Sequence, residues 1–116
     1  MKDIREKIIT KIVMRLGASP STKGFTYIKA GIRTCLEDPK AITAITKVIY
    51  PEIAKVYDTT PVAVEHAIRH AITQGWAKRD LELSDDIFTG QLQSKKDIPT
   101  NSVFLAAVVE WLKMNE

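Results

Sequence analysis

The chain has 116 residues, of which 45% are hydrophobic and 27% are charged, a balance that excludes a disordered protein and fits one domain spanning residues 1–116. Its net charge of +3 is unevenly divided: residues 1–80 contain 14 lysines and arginines against 8 acidic residues, and residues 81–116 contain 3 against 6. A basic body suits a protein that meets phosphate on one side, although solvated proteins also show such asymmetry by chance. The lone Cys35 excludes an internal disulfide and predicts a reduced core thiol. Without a 20-residue apolar run or a signal peptide, the chain is predicted to be cytoplasmic.

Hydrophobic periodicity predicts an all-α chain, because no stretch shows sustained two-residue alternation. The first helix has one apolar face, made of Ile4, Ile8, Ile9, Ile12, Val13 and Leu16, and it ends at Gly17. Gly31 in the second helix indicates a close crossing with another helix. Asp38 and Pro39 form the start of the third. The predicted helices cover residues 3–16, 22–37, 39–50, 51–57, 61–79, 84–88 and 101–114, with an irregular connection over 90–99, in a compact bundle.

Residues 53–76 contain the informative unit: a short helix, a three-residue turn and a longer helix. Ala54 is small enough for two helices to approach closely there. Asp58 can adopt a left-handed backbone in the turn, and Thr60 with Pro61 caps the second helix. This pattern is typical of a helix-turn-helix, whose second helix enters the major groove of DNA. Similar helix pairs also occur in bundles that bind nothing.

The helix that starts at Pro61 separates into two faces at about 100° per residue. The predicted core face consists of Val64, Ala67, Ile68, Ala71, Ile72 and Gly75. The outer face, called here the reading face, consists of Val62, His66, Arg69, His70 and Thr73, with Ala63 and Glu65 on its flanks. These residue types read base edges, since arginine donates to guanine, glutamate accepts from cytosine and small apolar groups meet the thymine methyl. The helix N-terminus, from Thr60 onward, offers amides that favour phosphate.

Basic residues near the ends of the paired helices are candidate phosphate contacts, or else solvated surface residues: Lys40, Lys47, Lys55, Lys78 and Arg79. His66 and His70 have the spacing of a zinc-chelating pair, but with no third ligand nearby we predict no metal and favour pH-sensitive contacts with DNA. Trp76 and Trp111 are predicted to pack in the core. The chain has no phosphate-binding glycine loop, no nucleophile beside a base and no metal-ligand cluster, so neither an enzyme nor a cofactor is predicted.

Four segments resemble the C-terminal effector domains of the stage 0 sporulation protein A family, the response regulator that starts endospore formation. They are KGFTYIKAGI (23–32), AITKVIYPEIAKVY (44–57), AIRHAI (67–72) with Trp76, and IPTNSVFLAAVVEWL (98–112). The resemblance implies a six-helix fold and a helix-turn-helix that reads a short box with a thymine-cytosine-guanine core in double-stranded DNA. It also implies head-to-tail pairing of two copies on adjacent boxes, and contact with the sigma subunit of RNA polymerase through the segment that contains Asp85 and Asp86.

Position by position, Glu65 and Arg69 match residues that the family uses at the DNA, and His70 matches the neighbouring position. Val62 and Ala63 stand where the family usually has serine and arginine, and His66 stands where it has a base-reading arginine. We therefore expect the family's box to be bound weakly, or a more thymine-rich box to be preferred. The family's receiver domain is also missing from this sequence. If Met1 is the native start, the chain is a stand-alone paralogue without the phosphorylation switch; if Met1 was added in cloning, the chain is an excised effector domain.

The sequence therefore predicts a sequence-selective DNA-binding transcription regulator, with Arg69, Glu65 and His66 as the principal base contacts. The alternative is a protein-interaction bundle that has lost DNA affinity and binds a regulator or an RNA polymerase subunit. The arginines absent at Ala63 and His66 motivate this alternative.

Overall fold

The computed structural model describes residues 2–92 and 97–115. Its α-helices are α1 (Lys2–Arg15), α2 (Lys23–Glu37), α3 (Tyr50–Val56), α4 (Pro61–Gly75), α5 (Leu81–Phe88) and α6 (Asn101–Met114). A 3₁₀ segment (Pro39–Ala44) and a π-helical turn (Ile45–Ile49) precede α3, and a second 3₁₀ turn (Trp76–Lys78) follows α4. The described ranges contain no strand, so the predicted all-α six-helix bundle is confirmed. Part of the predicted irregular connection, residues 93–96, lies outside the described residues.

Helix α2 lies at the centre of the bundle, where it packs against α1, α3, α4 and α6. Its apolar side chains Ile28 and Ile32 are completely buried, as are Ile68 of α4 and Leu105 of α6. Cys35 lies in the same core, and burial raises the pKa of its thiol to about 11. The thiol therefore stays protonated at neutral pH, as expected for a core cysteine. Nowhere in these ranges is a helix long and apolar enough to cross a membrane.

Helix α1 buries less of its apolar face than the sequence predicted. Ile4 and Ile8 are 61% and 44% exposed, so the expectation that the whole row faces the core is wrong for these two residues. Residues four apart advance by about 40° around a helix, and the row therefore drifts away from the core toward the N-terminus. The buried stripe consists of Ile9, Ile12, Val13 and Leu16.

The segment between α2 and α3 is not the regular α-helix that was predicted over 39–50. Asp38 caps it as expected, accepting a 3.2 Å hydrogen bond from the Lys40 amide. The π-helical turn ends at Ile49, immediately before α3, and Pro51 occupies the first turn of α3 as predicted. Proline has no amide hydrogen, and its ring clashes with the carbonyl four residues earlier. A wider turn relieves that clash while the chain continues into α3.

Candidate nucleic-acid interface

Helices α3 and α4 form the predicted helix-turn-helix. The turn between them is closed by hydrogen bonds from the Tyr57 amide to the Ile53 carbonyl (3.0 Å) and from the Thr59 amide to the Ala54 carbonyl (2.9 Å). Asp58 has a φ of 53°, the left-handed backbone expected of it. Ala54 is buried, as predicted for a point where the two helices approach closely. The turn therefore fixes the angle at which α4 leaves α3.

The start of α4 is capped as the sequence predicted. The Thr60 hydroxyl accepts a 3.1 Å hydrogen bond from the Ala63 amide, and Pro61 is the first helical residue. The Val62 amide lies in this first turn, where a helix supplies no acceptor for it. Val62 itself is 65% exposed. The beginning of α4 thus presents both an amide donor and apolar side chains to the outside, close to the positive end of the helix dipole.

The inner side of α4 rests directly on the backbone of two neighbouring segments. A Cβ atom built on Gly24 of α2 would lie 2.1 Å from the Ala67 carbonyl oxygen, and one on Gly75 would lie 2.2 Å from the Gly17 carbonyl oxygen. Only glycine allows such approaches. The predicted core face is otherwise confirmed: Val64, Ile68, Ala71, Ile72 and Gly75 are buried, and Ala67 is half-buried. Backbone contacts in the middle of α4 and at its C-terminal end hold this helix on the bundle.

The crossing at Gly24 stands in place of the one predicted at Gly31. A Cβ on Gly31 would meet only the side chains of Leu105 and Ile49, at 3.4 Å or more. That is an ordinary van der Waals contact, and the prediction of a close helix crossing at Gly31 is wrong. Gly31 is buried because the side chains of Leu105 and Ile49 lie over it, whereas the backbone contact with α4 is made by Gly24 at the N-terminal end of α2.

The reading face is open to solvent. Val62, Ala63, His66, Arg69, His70 and Thr73 are exposed, and Glu65 is half-buried at the edge. His66, Ala67, Arg69, His70 and Thr73 line a shallow depression along the helix. The Thr73 hydroxyl donates to the Arg69 carbonyl. In the described part of the chain, no other element covers this face. The base edges in a DNA groove can therefore reach it.

The Glu65 carboxylate lies near both Arg69 and His66 on the reading face. Its Oε2 atom lies 3.5 Å from Arg69 Nη2 and 3.4 Å from His66 Nε2. Exposed pairs four residues apart on a helix contribute only about 0.3–0.5 kcal/mol. A guanine edge or a phosphate can displace such a pair, so the arrangement orders the side chains without locking them.

The five predicted phosphate contacts divide into two groups. Lys40, Lys47, Lys55 and Lys78 are exposed. Arg79 is partly buried: its Nε atom donates to Ser84 Oγ at 2.9 Å, and its guanidinium lies 4.2 Å from the centre of the Trp76 ring. These contacts give Arg79 a role within the fold, at the junction of α4 and α5. The phosphate contacts predicted for Arg79 and for the four lysines stay predictions.

The sequence did not predict Asn101 as part of this region. Its Nδ2 atom donates to the Glu65 carbonyl (3.1 Å) and to the Tyr50 hydroxyl (3.0 Å). With Arg69 and Thr73, these residues line an open groove between α4 and the start of α6. The only signal in the sequence was an asparagine after the helix cap Thr100, and nothing there indicated its partners 36 and 51 residues away.

The acidic residues of α5 lie apart from the reading face. Asp85 and Asp86 are exposed, and Asp86 Oδ2 accepts a 2.6 Å hydrogen bond from the indole of Trp111. Trp76 is buried as predicted, and Trp111 is partly buried against the core. Among the residues that the structure describes, no three histidine, cysteine or acidic side chains are grouped to hold a metal ion.

Comparison with known families agrees with this arrangement. Residues 9–112 match the family model described as "Sporulation initiation factor Spo0A C terminal". The match extends from the buried stripe of α1 to the last turns of α6, and it includes the whole helix-turn-helix.

Proposed function

Because the chain belongs to the family of Spo0A C-terminal domains, the DNA-binding effector domains of a sporulation response regulator, we propose that it is a sequence-selective transcription regulator that places α4 in the major groove. Its site of action is the chromosome, and we expect a cytoplasmic location on that basis. The observation that carries the proposal is the reading face: a solvent-exposed helical surface with an arginine, a glutamate and two histidines, on a helix seated on backbone.

Each residue of the reading face has a proposed role. Arg69 donates to the O6 and N7 atoms of guanine, and Glu65 accepts from the amino group of cytosine. His66 and His70 contact base edges or phosphates beside them, and Thr73 lies at the far end of the face. Val62 and Ala63 meet thymine methyl groups at the near end. This division matches the chemistry of the side chains that α4 turns outward.

Phosphates flanking the groove are assigned to the helix start and the exposed lysines. Thr60 caps the helix whose first amides point outward, and such helix ends bind phosphate oxygens. Lys40, Lys47, Lys55 and Lys78 add positive charge on the segments before and after α4. Phosphate contacts set affinity and register, whereas the reading face sets sequence preference.

The box itself differs from that of the family in this proposal. Ala63 and His66 occupy positions where arginine is expected from the resemblance, and each good bidentate base contact contributes about 1–3 kcal/mol of discrimination. We therefore expect the chain to bind the family's box more weakly, or to prefer thymine at the base pairs that Ala63 and His66 contact.

Two partners other than DNA are part of the proposal. A second copy binds head to tail on an adjacent box, and the exposed acids Asp85 and Asp86 of α5 face the sigma subunit of RNA polymerase. Sedimentation of the chain with duplexes carrying one or two boxes measures the first. A 2:1 complex that forms on two boxes and not on one supports pairing; two independent 1:1 events on any spacing contradict it.

A binding titration against random-sequence duplex, read by fluorescence anisotropy at 50–300 mM salt, tests the function. If the four lysines each neutralise a phosphate, the logarithm of the affinity falls with the logarithm of salt at a slope of about −3 to −4. Lys55→Ala should reduce that slope by about 1. Lys113→Ala is the matched control, because Lys113 lies at the opposite end of α6 from Asn101, roughly 18 Å along the helix axis.

The rival function is a protein-interaction bundle that uses the same surface. The observation in its favour is the apolar start of α4, where Val62 and Ala63 are exposed, and where Ala63 and His66 stand at positions at which the resemblance implies arginine. No association with duplex at about 50 mM salt would favour this rival and contradict DNA binding.

A further inference from the structure

Asn101 connects three helices through a single side chain. It is the first residue of α6, it is only 8% exposed, and its Nδ2 atom makes both of the hydrogen bonds described above. One goes to the Tyr50 hydroxyl at the start of α3, and the other goes to the Glu65 carbonyl in the second turn of α4. The first helix of the helix-turn-helix and the recognition helix are therefore tied to the same amide group.

The bond to α4 reaches the turn of the helix that carries the reading face. The Glu65 carbonyl is also the acceptor for the Arg69 amide in the regular pattern of an α-helix. Asn101 thus holds the segment from Glu65 to Arg69, which contains three of the proposed base contacts. Gly24 and Gly75 fix α4 on its other side and at its far end. Asn101 adds a contact from α6, on a side of α4 that these glycines do not touch.

The hydrogen bond to Tyr50 is buried, and the one to the Glu65 carbonyl is partly buried at the open groove. Tyr50 is 6% exposed, and burial raises the pKa of its hydroxyl, which the hydrogen bond from Asn101 partly offsets. A buried polar group that loses its partner is costly, so the arrangement has one favoured geometry. Functional side chains keep their productive positions only when neighbouring packing and hydrogen bonds hold them within about 0.5 Å.

We propose that Asn101, together with Tyr50, is a positioning residue that sets the rotation of α4 and thereby the sequence selectivity of the reading face. The inference rests on the proposed function, because selectivity has meaning only if α4 reads DNA. Asn101 itself does not touch the DNA in this arrangement. Its effect is transmitted through the backbone of the Glu65–Arg69 turn.

The test compares two affinities for each variant: that for the duplex which the parent selects from a random pool, and that for random-sequence duplex. The variants are Asn101→Ala, which removes both bonds, and Tyr50→Phe, which keeps the ring in the core and removes one. Ser102→Ala, the exposed neighbour on the same helix, is the matched control. Circular dichroism melts establish that each variant is folded at the assay temperature. If Asn101→Ala does not fold, the comparison is made with Tyr50→Phe alone.

The ratio of the two affinities separates positioning from folding. A variant with a smaller folded fraction loses both affinities by the same factor, and the ratio is unchanged. A rotated α4 loses base contacts and keeps its phosphate contacts. We expect Asn101→Ala to reduce the ratio about tenfold, the effect of one base contact, and Tyr50→Phe to reduce it about threefold. Ser102→Ala should leave it unchanged. Amide chemical shifts should move at Arg69 in Asn101→Ala and stay constant near Gly75.

The outcomes distinguish a failure of this inference from a failure of the proposed function. If the parent prefers one sequence, and both variants fold and keep the parent's ratio of selected to random affinity, the inference is overturned and the proposed function is retained. A parent that binds every duplex equally, or none, overturns the proposed function and the inference together.

Discussion

The N-terminal end of α2 touches the middle of α4 through Gly24 and Ala67, with the Ala67 carbonyl oxygen 2.1 Å from the position that a Cβ on Gly24 would take. Such contact is closer than any side chain permits. The Ala71 methyl group lies 2.6 Å from the same position, so the space is closed on two sides. The distance between α2 and α4 is therefore set by backbone atoms. This distance determines how closely the recognition helix α4 packs on the rest of the bundle.

Replacing Gly24 by alanine should force α2 and α4 apart. Overpacking of this kind costs about 1–3 kcal/mol, and we expect Gly24→Ala to lower the free energy of unfolding by at least 2 kcal/mol in urea denaturation. Gly31→Ala is the control in the same helix, because its Cβ would meet only ordinary side-chain contacts. It should be neutral or stabilise the protein by up to about 1 kcal/mol through helix propensity. Equal stability of the two variants would show that the α2–α4 contact is not set at Gly24.

Much of α4 was predictable because its determinants are local. The 3.6-residue period separated Val64 and Ile68 from Arg69, and Thr60 with Pro61 marked the start of the helix. The turn conformation of Asp58 followed from side-chain chemistry in the same way. Helix existence, the two faces and the cap are properties of a short stretch of chain, and the structure confirms each of them.

The contacts that seat α4 were not predictable, because they join residues far apart in sequence. Nothing local distinguishes Gly24, which touches Ala67, from Gly31, which has only side chains over it. Asn101 likewise finds Glu65 only once α6 has packed. Arg79 shows the same limit: its charge predicted a phosphate contact, and nothing in the sequence indicated that its guanidinium would lie 4.2 Å from the centre of the Trp76 ring.

DNA binding should weaken when both histidines of the reading face are replaced. His66 and His70 are exposed beside Glu65 and Arg69, and an imidazole N–H can donate to a base edge or a phosphate oxygen. A hydrogen bond of this kind contributes about 0.5–1.5 kcal/mol, so we expect His66→Ala combined with His70→Ala to reduce the affinity for duplex by about three- to tenfold in anisotropy titrations. An affinity equal to that of the parent would exclude a role for the two histidines at the DNA.

The ion pair between α1 and α2 should give the fold a defined acid sensitivity. Partial burial raises the pKa of Glu6, but the hydrogen bond from Lys29 and the charge of Arg33 outweigh it and leave that pKa below its ordinary value. A lowered carboxyl pKa contributes stability that is present above the ordinary carboxyl range and is lost as the pH falls through the lowered value. Both partners lie 3.0 Å from Glu6 Oε1.

Glu6→Gln should therefore lower the free energy of unfolding at pH 7 by about 0.2–1 kcal/mol, the range for partly exposed pairs. The difference from the parent should shrink between pH 5 and pH 3. Glu110→Gln, at an exposed position of α6, is the control and should show no difference at either end. Urea denaturation at a series of pH values measures both. A deficit for Glu6→Gln that is the same at pH 3 as at pH 7 would mean that the carboxylate charge is not its source.

Selection of duplexes from a randomised pool by the parent and by Arg69→Ala tests most directly whether the outer side of α4 reads bases. We expect the parent to enrich one short motif, and Arg69→Ala to lose about 1–3 kcal/mol on that motif while its preference relaxes at a single guanine-containing base pair. Enrichment of an identical motif by both proteins, with equal affinity, would contradict the assignment of this surface.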